Sequence, residues 1–428
     1  MPLETFIVMR SYKYKLYKSN RNKILISKIE LAAKLHNHII ALHTRYYRLF
    51  GKHLNYFKLC KHIAKIKKVP KFSYWNDLNA QAIEMLVYKI ESNYCTFYTN
   101  LEKKKDTGNK DKVSPPSFRS VNCGGSFTLR QSGYKYLGYN KLKIFNKVYK
   151  FHKDRDVQGK IKLLNVTRDS VGDLFVSFVC EVEQRVNRET VDEVLNKTEN
   201  CSNIVGYDFG LNSDRFLVAS NGEDVSTPLF FKESEAKLIE LDKSLSSKVK
   251  GSNNYKKAKI KRAKLQRHIA NQRSNFQWNL AKEQVLKADV HCFETLDLNE
   301  MKERRGGFRF GKKVSDIAMA DFLAKLTQQA EKYGKYVVKV PRYFPSTQLC
   351  GKCGFRNTEL KGQLQIRHWV CPNCGAEHDR DFNAAINIRN KGIEMFKEGK
   401  FEKKRKPRRS CSFKRKAGKA KIEEVRAE

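Results

Sequence analysis

The order of apolar and polar positions divides the chain into stretches of different secondary structure. Residues 5–17 alternate between the two kinds of side chain, which predicts a strand. From about 24 to 50 the apolar side chains recur every three or four positions, which predicts an amphipathic helix that ends at Gly51. The helical pattern continues to Leu101, and the polar run at 103–117 predicts a loop or hinge.

The pattern becomes strand-like between about 118 and 185. Apolar side chains at every second position from Leu174 to Val182 face one way, and residues 170–173 have the composition of a hairpin turn. Short strands separated by Gly, Asn and Asp predict a small barrel or sandwich. The polar segment 184–203 is expected to be a linker.

From residue 204 onward, strands and helices alternate. Residues 204–220 predict two strands joined by a turn, and residues 255–286 predict a long helix with one apolar and one basic side. The apolar run at 288–298 predicts a strand that ends on Glu294.

A second helix and strand follow in the same alternation. Residues 314–334 have the periodicity of one helix, with Ser315 as a candidate N-cap and Gly334 at the C-terminal end. Residues 335–340 predict a further strand. The alternation over 204–390 predicts an α/β domain whose sheet is flanked by helices.

The net charge of the chain indicates the kind of partner that it binds. The 428 residues are 40% apolar, which is ordinary for a folded protein, but 86 Lys and Arg against 45 acids give a net charge of +41. Because these cations are spread along the chain and repel one another, the composition predicts nucleic acid as the partner. No run of 18 apolar residues exists, so a membrane partner is not expected. The last stretch, 393–428, is a basic tail expected to be disordered until nucleic acid neutralises it.

Cysteine usage indicates the compartment. Seven of the eleven cysteines are scattered singly, which is typical of a reducing compartment without a disulfide framework. The N-terminus also lacks the apolar stretch of a signal peptide. We therefore expect a cytoplasmic protein.

The other four cysteines form two C-x2-C pairs, each followed by a glycine. Their spacing, C-x2-C-x17-C-x2-C, is that of a zinc site with four thiolates, since each pair directs two sulfurs at one tetrahedral ion. Four ordinary core cysteines are the alternative, but buried cysteines have no reason to fall into two glycine-terminated pairs. The sequence therefore predicts a Zn²⁺ ion held by Cys350, Cys353, Cys371 and Cys374.

Three acids stand at positions that suit metal chemistry. Asp208 and Glu294 leave predicted strands, and Asp381 enters the last predicted helix. Strand ends of an α/β sheet are where such folds bind ligands, and three carboxylates meeting there would hold one or two Mg²⁺ ions. Each acid alone is weak evidence, because Asp208 could belong to a turn, Glu294 to a solvated strand end and Asp381 to an N-cap. The residues alone leave their convergence open.

With these residues in view, the chain resembles the TnpB family, insertion-sequence relatives of type V CRISPR effectors. The resemblance covers nearly the whole chain and rests on GYDFGLNSDRFLV, KLQRHIANQRSNFQWNLA, FETLDLNEM and FPSTQLCGKCG…WVCPNCGAEHDRDFNAAINI. It implies a RuvC-type, RNase H-like nuclease domain interrupted by the zinc ribbon, with Asp208, Glu294 and Asp381 as the ligands of two Mg²⁺ ions. Asp379 is then a neighbour of the site, since the family's acid lies two residues before the Asn of N-A-A.

The resemblance also implies an order of domains. The expected fold class is α/β with all-β and helical modules, in which a β-barrel wedge domain carries a helical recognition insertion and precedes the nuclease. The expected boundaries are 1–20 and 118–197 for the wedge, 21–117 for the recognition domain, 198–345 and 379–392 for the nuclease, 346–378 for the zinc ribbon and 393–428 for the tail.

Members of that family hold a guide RNA and cut double-stranded DNA beside a short adjacent motif with one RuvC site. The resemblance therefore implies an RNA-guided DNA endonuclease, with guide RNA and target DNA as partners and Mg²⁺ and Zn²⁺ as cofactors. Three alternatives stay open: a compact type V CRISPR effector guided by a crRNA, an RNA-guided repressor whose nuclease has decayed, and a transposase. The oligomeric state is also open.

Overall fold

The structure is a computed structural model that describes residues 4–107, 113–121, 125–296, 311–363 and 365–402. The chain divides into two compact units. The first contains the described part of 8–182, and the second contains the described part of 4–7 and 183–402. Most of the expected basic tail, 393–428, lies outside the described residues.

The first unit contains three long helices. They are α1 (Asn22–Phe50), α2 (Tyr56–Ile66) and α3 (Ala80–Thr107), with a 3-10 helix at Pro70–Asp77. Helix α1 confirms the helix predicted from about 24 to 50, and Gly51 ends it in the left-handed conformation with φ 60°. The loop expected at 103–117 is wrong in its first residues, because α3 continues to Thr107. Lys104 and Lys105 suit this last turn, since cations stabilise a helix C-terminus.

The strands of residues 4–186 form two sheets, one with the order β1-β7-β6-β2 and one with the order β3-β4-β5. Their bounds are β1 Glu4–Lys15, β2 Gly125–Arg130, β3 Tyr134–Tyr136, β4 Lys141–Ile144, β5 Lys147–Lys150, β6 Lys160–Arg168 and β7 Leu174–Val186. The turn predicted at 170–173 joins β6 to β7, and Gly172 there has φ 95°. A closed barrel is not among the pairings of the described strands, so the barrel stays a prediction.

The second unit is built on a five-stranded sheet with the order β10-β9-β8-β11-β12. The strands are β8 Ile204–Phe209, β9 Leu217–Ala219, β10 Asp224–Val225, β11 Val290–Glu294 and β12 Tyr336–Val340. Strands β8, β9 and β10 are antiparallel neighbours, whereas β11 runs parallel to both β8 and β12. The two strands predicted at 204–220 and the single strand predicted at 288–298 are thereby confirmed.

Helices cover both faces of this sheet. They are α4 Val191–Asn196, α5 Phe230–Ser246, α6 Asn253–Lys287, α7 Gly311–Ile317, α8 Met319–Tyr333 and α9 Arg380–Lys397. Tyr207 and Phe293 point to one face, where they share a core with Leu280 of α6 and Phe322 of α8. Val290 and Cys292 point to the other face and share a core with Ile388 and Phe396 of α9. The helix-flanked α/β domain predicted for 204–390 is confirmed.

Two further local predictions need correction. The single helix expected at 314–334 is broken at Ala318, which has φ 52°, so Ser315 lies inside α7 and caps nothing. The linker expected at 184–203 contains α4, because Thr190 and Glu193 form a capping box at its start.

The last helix extends to Lys397 instead of ending at 392, and Phe401 behind it packs on Phe396, so the tail begins later than 393. None of the described helices has the length and the apolar character of a membrane-spanning segment.

Candidate functional site

Two of the predicted carboxylates end neighbouring strands. Asp208 lies one residue before the end of β8, and Glu294 is the last residue of β11. These strands are parallel and pair Tyr207 with Phe293, so the next pair along brings Asp208 beside Glu294 at the carboxyl edge of the sheet. Both carboxylates are partly exposed at this edge.

Asp208 lies on the face of the sheet that α9 covers. A Cβ added to Gly206 would overlap the backbone of Ala385 and Arg389, so the helix touches β8 at this glycine. Gly206 and Asp208 are two residues apart on one strand and therefore share a face. Only glycine permits this close approach of helix and strand.

Glu294 lies on the same face for an equivalent reason. A Cβ added to Gly392 would overlap the side chain of Cys292 on β11. Cys292 and Glu294 are again two residues apart and share a face. The helix thus crosses both strands on the side where their carboxylates project.

The third predicted carboxylate enters from the start of that helix. Asp381 lies in the first turn of α9, one turn before Ala385, which touches Gly206. The N-cap of α9 is Asp379, whose side chain accepts a hydrogen bond of 2.9 Å from the backbone N–H of Phe382. The alternative that Asp381 is an N-cap is therefore wrong, and its carboxylate is not used to cap the helix.

Arg215 holds the start of α9 to the β8–β9 hairpin. Its guanidinium donates two hydrogen bonds to Asp379, of 3.0 and 3.1 Å, and one of 2.9 Å to Asp224. The same guanidinium lies 3.6 Å from Asp381. Burial opposes ionisation of Asp379, but the hydrogen bonds from Arg215 and from the backbone N–H of Phe382, together with the charge of Arg215, outweigh it and lower the pKa of that carboxyl. Arg215 therefore positions the helix turn that carries Asp381.

A second arginine contacts Asp381 directly. Arg367 precedes the first strand of the cysteine-rich segment and donates to both oxygens of Asp381, at 2.9 and 3.1 Å. The Arg367 side chain is half exposed, so this ion pair sits at the open edge of the site. A cluster of carboxylates attracts cations, and Arg367 and Arg215 are cations that this chain itself places beside Asp381.

The surroundings of the two strand-end carboxylates oppose their ionisation. Burial, reinforced by the negative charges of Asp381 and Glu294, raises the pKa of Asp208 to about 8. Burial also raises the pKa of Glu294 to about 7, against a weak hydrogen bond of 3.4 Å from the Ser346 hydroxyl. Both groups would ionise fully at neutral pH only with a cation beside them.

This donor set fits a divalent metal ion. Carboxylate oxygens are hard ligands of the kind that Mg²⁺ and Mn²⁺ prefer. Two partly buried carboxylates with raised pKa values and a third close by form a site where a cation offsets the cost of ionisation. Asp208, Glu294 and Asp381 are the residues that could hold such ions.

The four predicted zinc ligands come together in the structure. One ligand atom from each of Cys350, Cys353, Cys371 and Cys374 lies within 4.8 Å of all the others. The sulfurs of Cys350 and Cys374 are 3.7 Å apart, as are those of Cys353 and Cys371. A tetrahedral zinc ion with bonds of about 2.3 Å requires sulfurs about 3.8 Å apart, so the cluster fits zinc.

The two cysteine pairs form matching turns. Cys350 and Cys371 are buried and each accepts, through its carbonyl oxygen, a hydrogen bond of 2.9 Å from the glycine four residues later. Those glycines, Gly354 and Gly375, have φ 77° and 68°, which a residue with a side chain rarely adopts. In both turns the first cysteine is buried and the second is exposed. The strands β13 (His368–Val370) and β14 (Glu377–Asp379) complete a small zinc ribbon.

Two asparagines of α9 hold this ribbon in place. Asn383 accepts a hydrogen bond from the backbone of Gly351 and donates one to the carbonyl of Leu349, at 2.8 and 2.6 Å. Asn387 donates to the carbonyls of Ser346 and Leu349, at 2.8 and 2.7 Å. The zinc ribbon and Asp381 are therefore attached to the same helix.

Some of these residues have no signal in the sequence. The three carboxylates and four cysteines were identified by their motifs, whereas Arg215 is one of 86 similar cations and its role depends on contacts across the fold. Arg367 is equally inconspicuous. Asn383 belongs to the N-A-A motif, which marked the segment without indicating that the side chain holds the ribbon.

The raised pKa of Asp208 gives a prediction for stability. The pKa of Asp208 is about 8 in the folded chain, above the ordinary value of about 4 for an aspartate in an unfolded chain, so the folded chain binds more protons and loses stability as pH rises from about 4 to 8. Asp208→Asn removes this loss. In magnesium-free buffer at pH 8 we expect the variant to melt several degrees above the wild type, which corresponds to a gain of about 1–3 kcal/mol in the free energy of unfolding. Near pH 4 the two proteins should have the same melting temperature.

Thermal unfolding across this pH range measures the difference. Asp214→Asn is the matched control, because Asp214 is an exposed acid in the same hairpin and its loss should leave the pH dependence unchanged. A melting temperature of Asp208→Asn that stays below the wild type at pH 8 would contradict the electrostatic account.

The fold and site define an α/β domain with a carboxylate cluster beside a four-cysteine zinc ribbon. Two family models match this part of the chain. Residues 177–305 match the OrfB_IS605 model, described as "Probable transposase", and residues 320–388 match the Cas12f1-like TNB domain. Together with relatives named after TnpB, these matches confirm the resemblance to the TnpB family.

The relatives cover different shares of the chain. A protein of Streptomyces pristinaespiralis named "Putative RNA-guided DNA endonuclease" is 25% identical over 391 residues, which span 90% of each chain. TnpB-like protein L79 of Acanthamoeba polyphaga mimivirus is 25% identical over 218 residues, 49% of this chain and 40% of its own. Among solved structures, Cas12f1 in complex with sgRNA and target DNA aligns over 90% of this chain and 99% of its own, with 15% identity and a TM-score of 0.47.

Proposed function

We propose that this chain is an RNA-guided endonuclease that cuts double-stranded DNA at the carboxylate cluster. The observation that carries the proposal is the meeting of Asp208 and Glu294 at the ends of adjacent parallel strands, with Asp381 brought to them by α9. The relative that spans 90% of the chain is named for this activity.

Each part of the site has a task in phosphodiester hydrolysis. Asp208, Glu294 and Asp381 would hold two Mg²⁺ ions, and such a pair supplies an activated water and stabilises the leaving 3′ oxygen. Arg215 and Asp379 fix the first turn of α9, so that Asp381 keeps its place relative to the two strands. Arg367 exchanges its contact with Asp381 for a DNA phosphate when substrate enters, since guanidinium binds both anions.

The domain roles follow from the same proposal. The sheet of residues 204–340 with α9 is the RuvC-type, RNase H-like domain, and the ribbon at 346–378 contacts target nucleic acid. The helical part within 21–117 and the strands within 1–20 and 118–197 are the recognition and wedge domains. A closed wedge barrel belongs to this proposal as well.

The partners are a guide RNA and a target DNA. The net charge of +41 suits a protein that binds the phosphate backbones of nucleic acids, while base pairing between the guide RNA and the DNA recognises the target sequence. We infer that the protein acts in the cytoplasm of a prokaryote, where it has access to the nucleoid.

The test begins with the RNA that the protein carries. We would express the chain with its native flanking DNA, purify the complex and sequence the bound RNA. We expect one structured RNA that ends in a variable segment, and magnesium-dependent cutting of DNA matching that segment. A guide with a scrambled variable segment is the control and should direct no cutting of the same DNA.

The other outcomes distinguish the alternatives. RNA of the repeat-and-spacer type would assign the chain to the compact CRISPR effectors, with the same site chemistry. Tight, guided DNA binding without cutting would identify a repressor. Heterogeneous cellular RNA, with no guided activity, would contradict the proposal, because the charge would then reflect only general attraction to polyanions.

A further inference from the structure

The segment between Glu30 and Asp77 carries positive charge without any acid. It contains ten Lys and Arg residues and no Asp or Glu, although the whole chain has 45 acids. This segment forms most of α1 and all of α2. Nine of the ten cations are exposed: Lys34, Arg45, Arg48, Lys52, Lys58, Lys61, Lys65, Lys68 and Lys71. Such a surface attracts a polyanion.

Exposed aromatic side chains lie at the tip of this helix pair. Aromatic residues at helical spacing are usually core, and Trp75 and Tyr94 in the same unit are indeed buried. Tyr47 and Phe50 in the last turns of α1 are 56% and 58% exposed, and Phe57 in the first turn of α2 is 77% exposed. We call these three residues the aromatic tip. Large exposed rings cost hydration free energy and commonly mark a binding surface.

The backbone presents the tip in a fixed shape. Gly51 ends α1 in the left-handed conformation, and Asn55 caps α2 by accepting a hydrogen bond of 2.9 Å from Lys58. Lys58 also lies over the ring of Tyr46, 5.9 Å from its centroid, which joins the start of α2 to the end of α1. The tip is therefore a feature of the folded hairpin.

Exposed rings in an acid-free segment with exposed cations match the chemistry of unpaired nucleotides. Each nucleotide offers a flat base that stacks on an aromatic ring and a phosphate that pairs with Lys or Arg. A second copy of this chain is a poor occupant, because it would bring the same cations against their like. An apolar protein surface would leave the cations without partners.

We propose that the aromatic tip, Tyr47, Phe50 and Phe57, stacks unpaired bases of single-stranded RNA while exposed lysines and arginines of the same segment hold its phosphates. This assignment rests on the proposed function for the choice of RNA. In a guided complex the target strand is paired with the guide, whereas the RNA keeps loops and ends whose bases are free to stack.

The test measures affinity of the full-length protein for a structureless single-stranded RNA, the same sequence as single-stranded DNA, and duplex RNA. Each of Tyr47→Ala, Phe50→Ala and Phe57→Ala is expected to weaken single-stranded RNA binding roughly tenfold. Leu49→Ala is the matched control, since Leu49 is 63% exposed in the same turn but has no ring to stack, and it should change affinity less than about twofold. Phe57→Tyr should restore binding.

Salt dependence separates stacking from charge. The aromatic variants should keep the slope of the logarithm of the binding constant against the logarithm of the salt concentration. Lys58→Ala and Lys61→Ala should each reduce the size of this slope by about 1, the effect of losing one phosphate contact. This measurement needs no cleavage, so it is independent of whether the carboxylate site is active.

Several results would overturn the assignment. One is an unchanged affinity for single-stranded RNA in the triple aromatic variant. Another is a loss of affinity for duplex RNA that equals the loss for single-stranded RNA. An equal or larger loss for single-stranded DNA would assign the tip to a DNA strand instead. A dimer seen by light scattering that disappears in the variants would assign it to a second copy.

Discussion

Asp208→Asn is expected to reduce guided DNA cleavage by at least about 1,000-fold, a loss of about 4 kcal/mol in transition-state stabilisation. The substitution keeps the shape of the side chain and removes the negative charge that would hold the metal ions between β8 and β11. The same change is expected to stabilise the metal-free protein, since it removes a charge that burial opposes. One substitution should therefore raise the melting temperature and abolish catalysis.

Single-turnover cleavage of a guide-matched DNA measures this loss, with binding of the same DNA measured in parallel. Binding should be unchanged, because the guide and the basic surfaces provide it. Asp214→Asn again serves as the matched control and should cleave at the wild-type rate. Cleavage by Asp208→Asn within tenfold of the wild type would remove Asp208 from the proposed site.

The other two carboxylates extend the argument. Glu294→Gln and Asp381→Asn should each cause a similar loss, and combining either with Asp208→Asn should add little, because residues that hold one metal cluster act as a unit. Asp379→Asn should instead cause a smaller loss, because asparagine still caps the helix and only the negative charge paired with Arg215 is removed. This difference distinguishes the proposed ligand from its neighbour.

The periodicity of the sequence predicts the elements that carry the site. Strands ending at Asp208 and Glu294 follow from short apolar runs, and the two cysteine pairs follow from their spacing. These features are local, so a single stretch of sequence contains the information for each. The alternation of strands and helices also defines an α/β domain before any contact is known.

The convergence of the carboxylates could not be predicted from the residues, because it depends on contacts between distant segments. Gly206 and Gly392 let α9 lie directly on β8 and β11. The sequence around each glycine does not distinguish such a contact from a glycine in a turn. Arg215 meets Asp379 across more than 160 positions of chain, which no local pattern records. The break at Ala318 is equally hidden, since alanine is the residue that most favours an unbroken helix.

Loss of zinc is expected to reduce cleavage by about 100-fold although the zinc ribbon holds none of the proposed catalytic carboxylates. Cys371→Ser removes a buried ligand, and zinc bound by four thiolates contributes about 10–16 kcal/mol to the folding of such a small module. Asn383 and Asn387 attach the ribbon to α9, and Arg367 of the ribbon contacts Asp381. An unfolded ribbon would therefore release the start of the helix that carries Asp381.

Hydrogen exchange and zinc content measure the first step, and cleavage measures the second. In Cys371→Ser the amides of 346–378 should lose protection while those of β8 and β11 keep it. Cleavage should fall by about 100-fold, the cost of displacing a catalytic group by about 1 Å. Cys95→Ser is the matched control, since Cys95 lies in α3 outside the ribbon, and it should retain zinc and activity.

Chelation of the wild type gives the reversible form of the same experiment. A zinc-selective chelator in excess Mg²⁺ should slow cleavage by a similar factor, and added Zn²⁺ should restore the rate in the wild type but not in Cys371→Ser. If the ribbon loses zinc and protection while cleavage continues at its normal rate, the start of α9 is held by Arg215 and Asp379 alone. The ribbon would then serve DNA contact only, and its hydrogen bonds to Asn383 and Asn387 would position the ribbon without positioning Asp381.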